Sequence, residues 1–196
     1  MRDPVELEAS DALVLVDVQH DFLPGGALPV PLGNEVVPPL NGYIALFRSR
    51  GLPVFATRDW HPPDHCSFVG QGGPWPPHCV AGSAGARFAD DLALPEDVTI
   101  ISKDTGREQN TYSGFEDTDL GARLRRLGVR RLFIGGLATD YCVLNTVRDA
   151  LRLGFGVFLL DDAVRAVDVD PGDGRRARKT MLELGALPLS LGALRA

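Results

Sequence analysis

Apolar residues occur along this chain in short unbroken blocks separated by amphipathic stretches. Residues 12–18, ALVLVDV, form a block of strand length rich in branched side chains. Similar blocks recur at 53–57 (PVFAT), 98–102 (VTIIS), 131–134 with a trailing GGL, 157–160 (VFLL) and 187–191. Between them, the spacing of apolar positions predicts helices over 36–50, 120–127, 140–153 and 174–184. Gly51, Gly128 and Gly154 follow three of these helices, where a glycine commonly ends one. Two prolines lie near the start of the first, where a missing N–H is tolerated.

Continuous apolar strands interleaved with helices predict a doubly wound α/β domain. Its sheet is mainly parallel and six-stranded, with helices on both faces, and it spans residues 1–196. Ligands of such sheets sit at the carboxyl ends of the strands. The polar residues expected there are Asp17, Asp59, Lys103 and the loop into Cys142.

Residues 60–97 break the alternation. They are rich in Pro, Gly, His and Cys and show no clear period. A connection of this length is usually functional or disordered. Trp60, Phe68, Trp75 and Phe88 point to an ordered, packed excursion.

Composition narrows the function classes. The formal charge is −6, and the basic clusters at 123–131 and 175–179 fall on predicted amphipathic helices, so a nucleic-acid partner is not expected. There is no apolar run of about 18 residues and no leader pattern, so no membrane span or export is expected. Three cysteines, an odd and low count, do not make a disulfide scaffold. The expected compartment is the reducing cytoplasm.

Two constellations carry chemistry. Cys142 falls in the first turn of the helix over 140–153, with Thr139 or Asp140 as its cap. Backbone N–H groups there favour a thiolate or a developing oxyanion. Lys103 could lower the thiol pKa, and Asp17 could take and return a proton. The second constellation is DWHPPDHCSF (59–68) with WPPHC (75–79). The prolines at 62 and 63 rule out a helical His61–His65 pair. Three arrangements fit. One is an open metal site of Asp59, His61 and His78, suited to zinc, iron or manganese. Another is a closed zinc site using Cys66 or Cys79. The third is a polar loop without metal.

Together, LVDVQHDFLPGGALPV (15–30), TRDWHPPDHCSF (57–68), WPPHCVAGS (75–83), KDTGREQNTYSGF (103–115) and GLATDYCV (136–143) resemble the isochorismatase-like cysteine hydrolases. Within them the chain resembles the nicotinamidase/pyrazinamidase family, over nearly its whole length. The resemblance implies a three-layer, Rossmann-like fold and hydrolysis of nicotinamide to nicotinic acid and ammonia through a thioester. It implies Cys142 as nucleophile, Asp17 as base and acid, and Lys103 as thiolate stabiliser. It implies Asp59, His61 and His78 as ligands of one divalent metal, zinc first, with His65 beside them. Phe22, Trp75, Leu137 and Tyr141 would contact substrate, and the N–H groups of Ala138 and Cys142 would form the oxyanion hole. A cis bond is implied at Leu137–Ala138, and many relatives self-associate. His20 stands where relatives often carry Asn. Two other readings remain: a superfamily hydrolase with a different amide or vinyl-ether substrate, and a non-enzymatic binding protein with a structural zinc site.

Overall fold

The computed structural model describes residues 4–195. Six strands form one sheet: β2 (Asp11–Val16), β3 (Val54–Asp59), β4 (Thr99–Lys103), β5 (Arg131–Leu137), β6 (Gly156–Arg165) and β7 (Leu187–Leu189). Their order is β4-β3-β2-β5-β6-β7 and every pairing is parallel. The chain runs outward from β2 to one edge, then returns beside β2 and runs to the other. A cleft at the carboxyl ends is expected where the order reverses, between β2 and β5. A two-residue strand pair, β1 (Val5–Glu6) with β8 (Leu194–Arg195), ties the two ends of the chain together. No periodicity in the sequence marks strands so short.

The sheet is covered on both faces. Leu13 and Leu15 of β2 pack with Leu40, Tyr43, Ile44 and Phe47 of α1 (Val37–Ser49). Ala12, Val14 and Val16 pack on the other face, against α2 (Leu120–Arg126), α3 (Leu144–Arg152) and α4 (Asp173–Glu183). Strand side chains alternate between faces, so a strand buried on both sides is apolar except where a charge is paired, as Asp11 is with Arg131 at its start. That is why β2 shows a run and no alternation.

Gly136 of β5 lies directly beside Val16 of β2. Its φ is 126°, and a Cβ there would lie 2.1 Å from the Val16 oxygen. Gly136→Ala is therefore expected to destabilise the fold by more than ~2 kcal/mol, through backbone strain and the clash with Val16. An unchanged urea midpoint would contradict this register.

The strand ends differ from the sequence reading in one consequential way. β3 continues to Asp59 and β4 to Lys103, so both residues belong to the sheet and are paired across it. The excursion over 60–97 is packed, as expected. Antiparallel and parallel bridges join Gln19 to Phe88, His61 to Val80 and Phe68 to Trp75.

Candidate active site and metal centre

Register brings the charged groups together. Asp59 and Lys103 are direct partners on β3 and β4. Asp17 leaves the end of β2 with φ of 48°, and its N–H donates to the Thr57 carbonyl at 3.2 Å. Left-handed backbone is tolerated best by Gly, Asn and Asp. Lys103 Nζ then meets three acceptors: Asp17 Oδ2 at 3.0 Å, Cys142 Sγ at 3.5 Å and Asp59 Oδ1. The ammonium hydrogen-bonds Asp59 and Cys142 and lies in ion-pair contact with Asp17. Thr57 Oγ1 donates to Asp17 Oδ1 at 2.6 Å. All four charged or reactive groups are buried.

Cys142 does not sit in an ordinary first turn. Residues Thr139–Val143 form a π-helical turn between β5 and α3. Neither proposed cap bonds within it. The Asp140 carboxylate instead accepts N–H bonds from Val167 and Asp168, at 3.0 and 2.8 Å. π turns are rare and frequent at functional sites. No hydrophobic period signals one, because the apolar stripe continues through it. The Leu137–Ala138 peptide is cis.

The electrostatics modify one expectation. Burial pushes the Cys142 thiol well above its usual range, against the pull of Lys103, and Asp17 and Asp59 push the same way. Raised in this way, the thiol needs a base to remove its proton. Burial raises Asp17 to about 6, with Lys103 and the Thr57 hydroxyl opposing the rise. Burial acts against the Lys103 charge, yet Asp17 and Asp59 outweigh it and hold the ammonium well above its usual range. For Asp59, burial is outweighed by Lys103 and His61, and the carboxyl stays below the usual range. The site thus holds a permanent cation and one carboxylate poised to exchange a proton.

The second constellation lies against the first through Asp59. Ligand atoms of Asp59, His61 and His78 lie within 4.8 Å of one another, and all three residues are buried. Asp59 Oδ2 is 3.6 Å from His61 Nε2. Both ring nitrogens of His61 are buried and unpartnered. Orphaned buried polar atoms cost about 1–3 kcal/mol each. His78 donates Nδ1–H to the Pro76 carbonyl at 2.8 Å, which leaves Nε2 as its free lone pair. A carbonyl on one nitrogen is the usual support of a metal-binding imidazole. Two imidazoles and a carboxylate are the donor set of an open zinc-type site.

The remaining cluster residues take other places. His65 stacks on His61, with ring centroids 4.2 Å apart. Its Nδ1 bonds Ser67 Oγ at 2.7 Å, and its Nε2 bonds the Gln109 carbonyl. Its ligand atoms also group with those of His61 and Asp104. Cys79 is fully buried within one of the apolar cores, and the half-buried Cys66 thiol donates to the Gln109 carbonyl at 3.6 Å. Neither thiol joins a cluster of potential metal donors among the described residues. The closed His/Cys arrangement therefore has no geometric basis. His20 pairs with Asp90 at 3.1 Å, on the exposed rim.

Aromatic groups border both constellations. The Phe22 ring lies 5.6 Å from that of His78. Trp75 meets Tyr141 edge-on at 5.1 Å and donates Nε1–H to the Tyr112 hydroxyl at 3.2 Å. Leu137 is fully buried at the end of β5. Tyr112 was not singled out from the sequence, although it lies in the quoted NTYSGF. Gln19 was missed as well. Its amide accepts the Asp59 N–H at 2.8 Å and donates to the Asp59 and Ala86 carbonyls at 2.8 and 2.9 Å. A buried glutamine after an Asp-terminated strand was the available signal.

The isochorismatase domain model matches residues 11–188. The chain belongs to the isochorismatase family. Among its relatives, this isochorismatase-family chain is 39% identical to a nicotinamidase of Escherichia coli (strain K12), covering 89% of this chain and 92% of the relative. It is 37% identical to a nicotinamidase/pyrazinamidase of Mycobacterium tuberculosis, covering 81% and 88%. The pyrazinamidase of Pyrococcus horikoshii, crystallised in complex with zinc, superposes with a TM-score of 0.89 at 50% identity, covering 92% and 99%. PnC1 from L. infantum, in complex with nicotinate, gives 0.91 at 38% identity, covering 98% and 99%.

Proposed function

We propose that this chain is a metal-dependent nicotinamidase that hydrolyses nicotinamide to nicotinic acid and ammonia, and that it also accepts pyrazinamide. The observation that carries the reading is the junction at Asp59. One oxygen of this carboxylate meets Lys103 and the other faces His61. A nucleophile and a ring-binding group are thereby held a fixed distance apart. The relatives of matching length include nicotinamidases, and a structural neighbour holds nicotinate.

Asp59, His61 and His78 would hold the metal, zinc by analogy with the Pyrococcus structure. Bound there, it supplies a positive charge that orients the substrate ring nitrogen. Phe22 and Trp75 flank the ring, with Leu137 and Tyr141 beside the amide. Asp17 takes the Cys142 proton as sulfur attacks the carboxamide carbon. The N–H groups of Ala138 and Cys142 receive the developing oxyanion. Asp17 passes the proton to the departing nitrogen, which leaves as ammonia. Asp17 then takes a proton from water, whose oxygen attacks the thioester and releases the acid and the Cys142 thiolate, to which Asp17 returns the proton. Lys103 stays charged throughout and stabilises the thiolate each time it forms.

We take residues 1–196 as one catalytic domain, because both apolar layers rest on the same sheet. No described helix is long and apolar enough to cross a membrane. Free Cys66, Cys79 and Cys142 suit a reducing cytoplasm.

Ammonia release from nicotinamide by the zinc-loaded protein tests the reading. Release from a carbamoyl amide with none from nicotinamide would favour another hydrolase of the family. A pH profile tests the base. Asp17 must be ionised, so kcat/KM is expected to fall about tenfold per unit below pH ~6. The Thr57 hydroxyl lowers the Asp17 pKa, so Thr57→Val is expected to move this limb to higher pH. A limb that stays in place would separate Thr57, and with it Asp17, from the proton transfer.

A further inference from the structure

We propose that Asp21 is a positioning residue of the metal centre, whose carboxylate holds the backbone turn that presents His78. The proposal rests on the reading of Asp59, His61 and His78 as metal ligands. Cys79, directly after His78, has φ of 46° without being glycine. Such backbone is unfavourable for a residue with a Cβ and persists only where its surroundings hold it. Two contacts hold it. The Cys79 N–H donates to Asp21 Oδ2 at 2.7 Å, and its carbonyl accepts the His61 N–H at 3.0 Å. The peptide leaving His78 is thus pinned by Asp21 on one side, and the following carbonyl by another proposed ligand. A bond to a carboxylate is about twice as strong as a neutral one.

Asp21 is itself fixed from several directions. Its N–H donates to the Gly85 carbonyl at 3.0 Å and its carbonyl accepts the Leu28 N–H at 2.9 Å. Its Oδ1 accepts the Ala27 N–H at 3.1 Å. The carboxylate sits so close to Gly85 that a Cβ there would lie 2.1 Å from it. The neighbouring Phe22 places its ring against the His78 imidazole. One short turn, His20–Phe22, therefore supports His78 through both its backbone and its ring. Asp21 touches neither the substrate nor the reacting atoms. It acts through His78.

Zinc titration of the apoprotein against a competing chelator tests this, with parent, Asp21→Ala, His78→Ala and the double variant. Asp21→Ala is expected to weaken zinc binding about 10–100-fold and to cost nothing further in the His78→Ala background. A purely structural effect would add in full to the His78 loss. Parental affinity in Asp21→Ala, full additivity, or a loss in Asp21→Ala with none in His78→Ala would each overturn the proposal. A parent that binds no zinc would overturn the metal reading itself. If Asp21→Ala fails to fold, Asp21→Asn decides. Its neutral amide oxygen is a weaker acceptor for the Cys79 N–H than a carboxylate, so zinc binding is expected to weaken at least ~3-fold, and parental affinity would overturn the assignment.

Discussion

Cys142→Ala is expected to lower nicotinamide turnover by at least ~10⁴-fold while fold and zinc content stay parental. The thiol is in contact with both Lys103 and Asp17, which places it between the cation and the base. Without it, the site keeps its charges and its aromatic walls but has no group to form the acyl bond. Lys103 loses one of three acceptors and keeps two carboxylates, so the site stays neutralised and folded. Cys142→Ser should be nearly as inactive. A hydroxyl proton is far harder to remove than a thiol proton, and Asp17 near 6 is a weak base for it. Near-parental turnover by either variant would remove Cys142 from the chemistry.

His61→Ala should fail in a different way. His61 contributes two buried nitrogens that have no hydrogen-bond partner among the described residues, which suits its imidazole to a metal-ligand role. Its loss is expected to weaken zinc binding by more than ~100-fold, beyond what loss of a supporting residue costs. KM should rise sharply if, as proposed, the metal orients the ring. Extracting zinc from the parent with a chelator should reproduce the KM change, and readdition should reverse it. Metal content and KM that match the parent would rule out His61 as a ligand. The two variants together separate bond breaking at Cys142 from substrate holding at Asp59, His61 and His78.

Much of this arrangement was legible in the sequence. Apolar runs at 12–18, 131–134 and 157–160 marked central strands, because a strand buried on both faces has few polar positions. Asp17, Lys103 and Cys142 could be placed on one edge because strand ends in a parallel sheet share a side. The resemblance supplied the roles of His78, Phe22 and Trp75, which spacing alone left open. What the sequence did not show is mostly backbone. Cys142 lies in a π turn, and the apolar stripe is the same for π and α geometry over so few residues. Lowering of the thiol pKa by Lys103 was expected, yet burial and two carboxylates outweigh it. Charge at a site depends on the sum of its neighbours and its desolvation, and neither can be read from one residue's position. Asp21 and Gln19 stand close to Asp17 in sequence, but their importance lies in bonds to Cys79 and Asp59, 58 and 40 positions away.

The central claim is that sulfur, and not water, makes the first bond to the substrate. Turnover of nicotinamide in the presence of hydroxylamine measures this most directly. A thioester on Cys142 should be intercepted, so nicotinohydroxamic acid should appear at the expense of nicotinic acid while ammonia release is undiminished. Nicotinic acid as the sole acyl product at every hydroxylamine concentration, with turnover intact, would mean that water attacks the amide directly and would contradict the account.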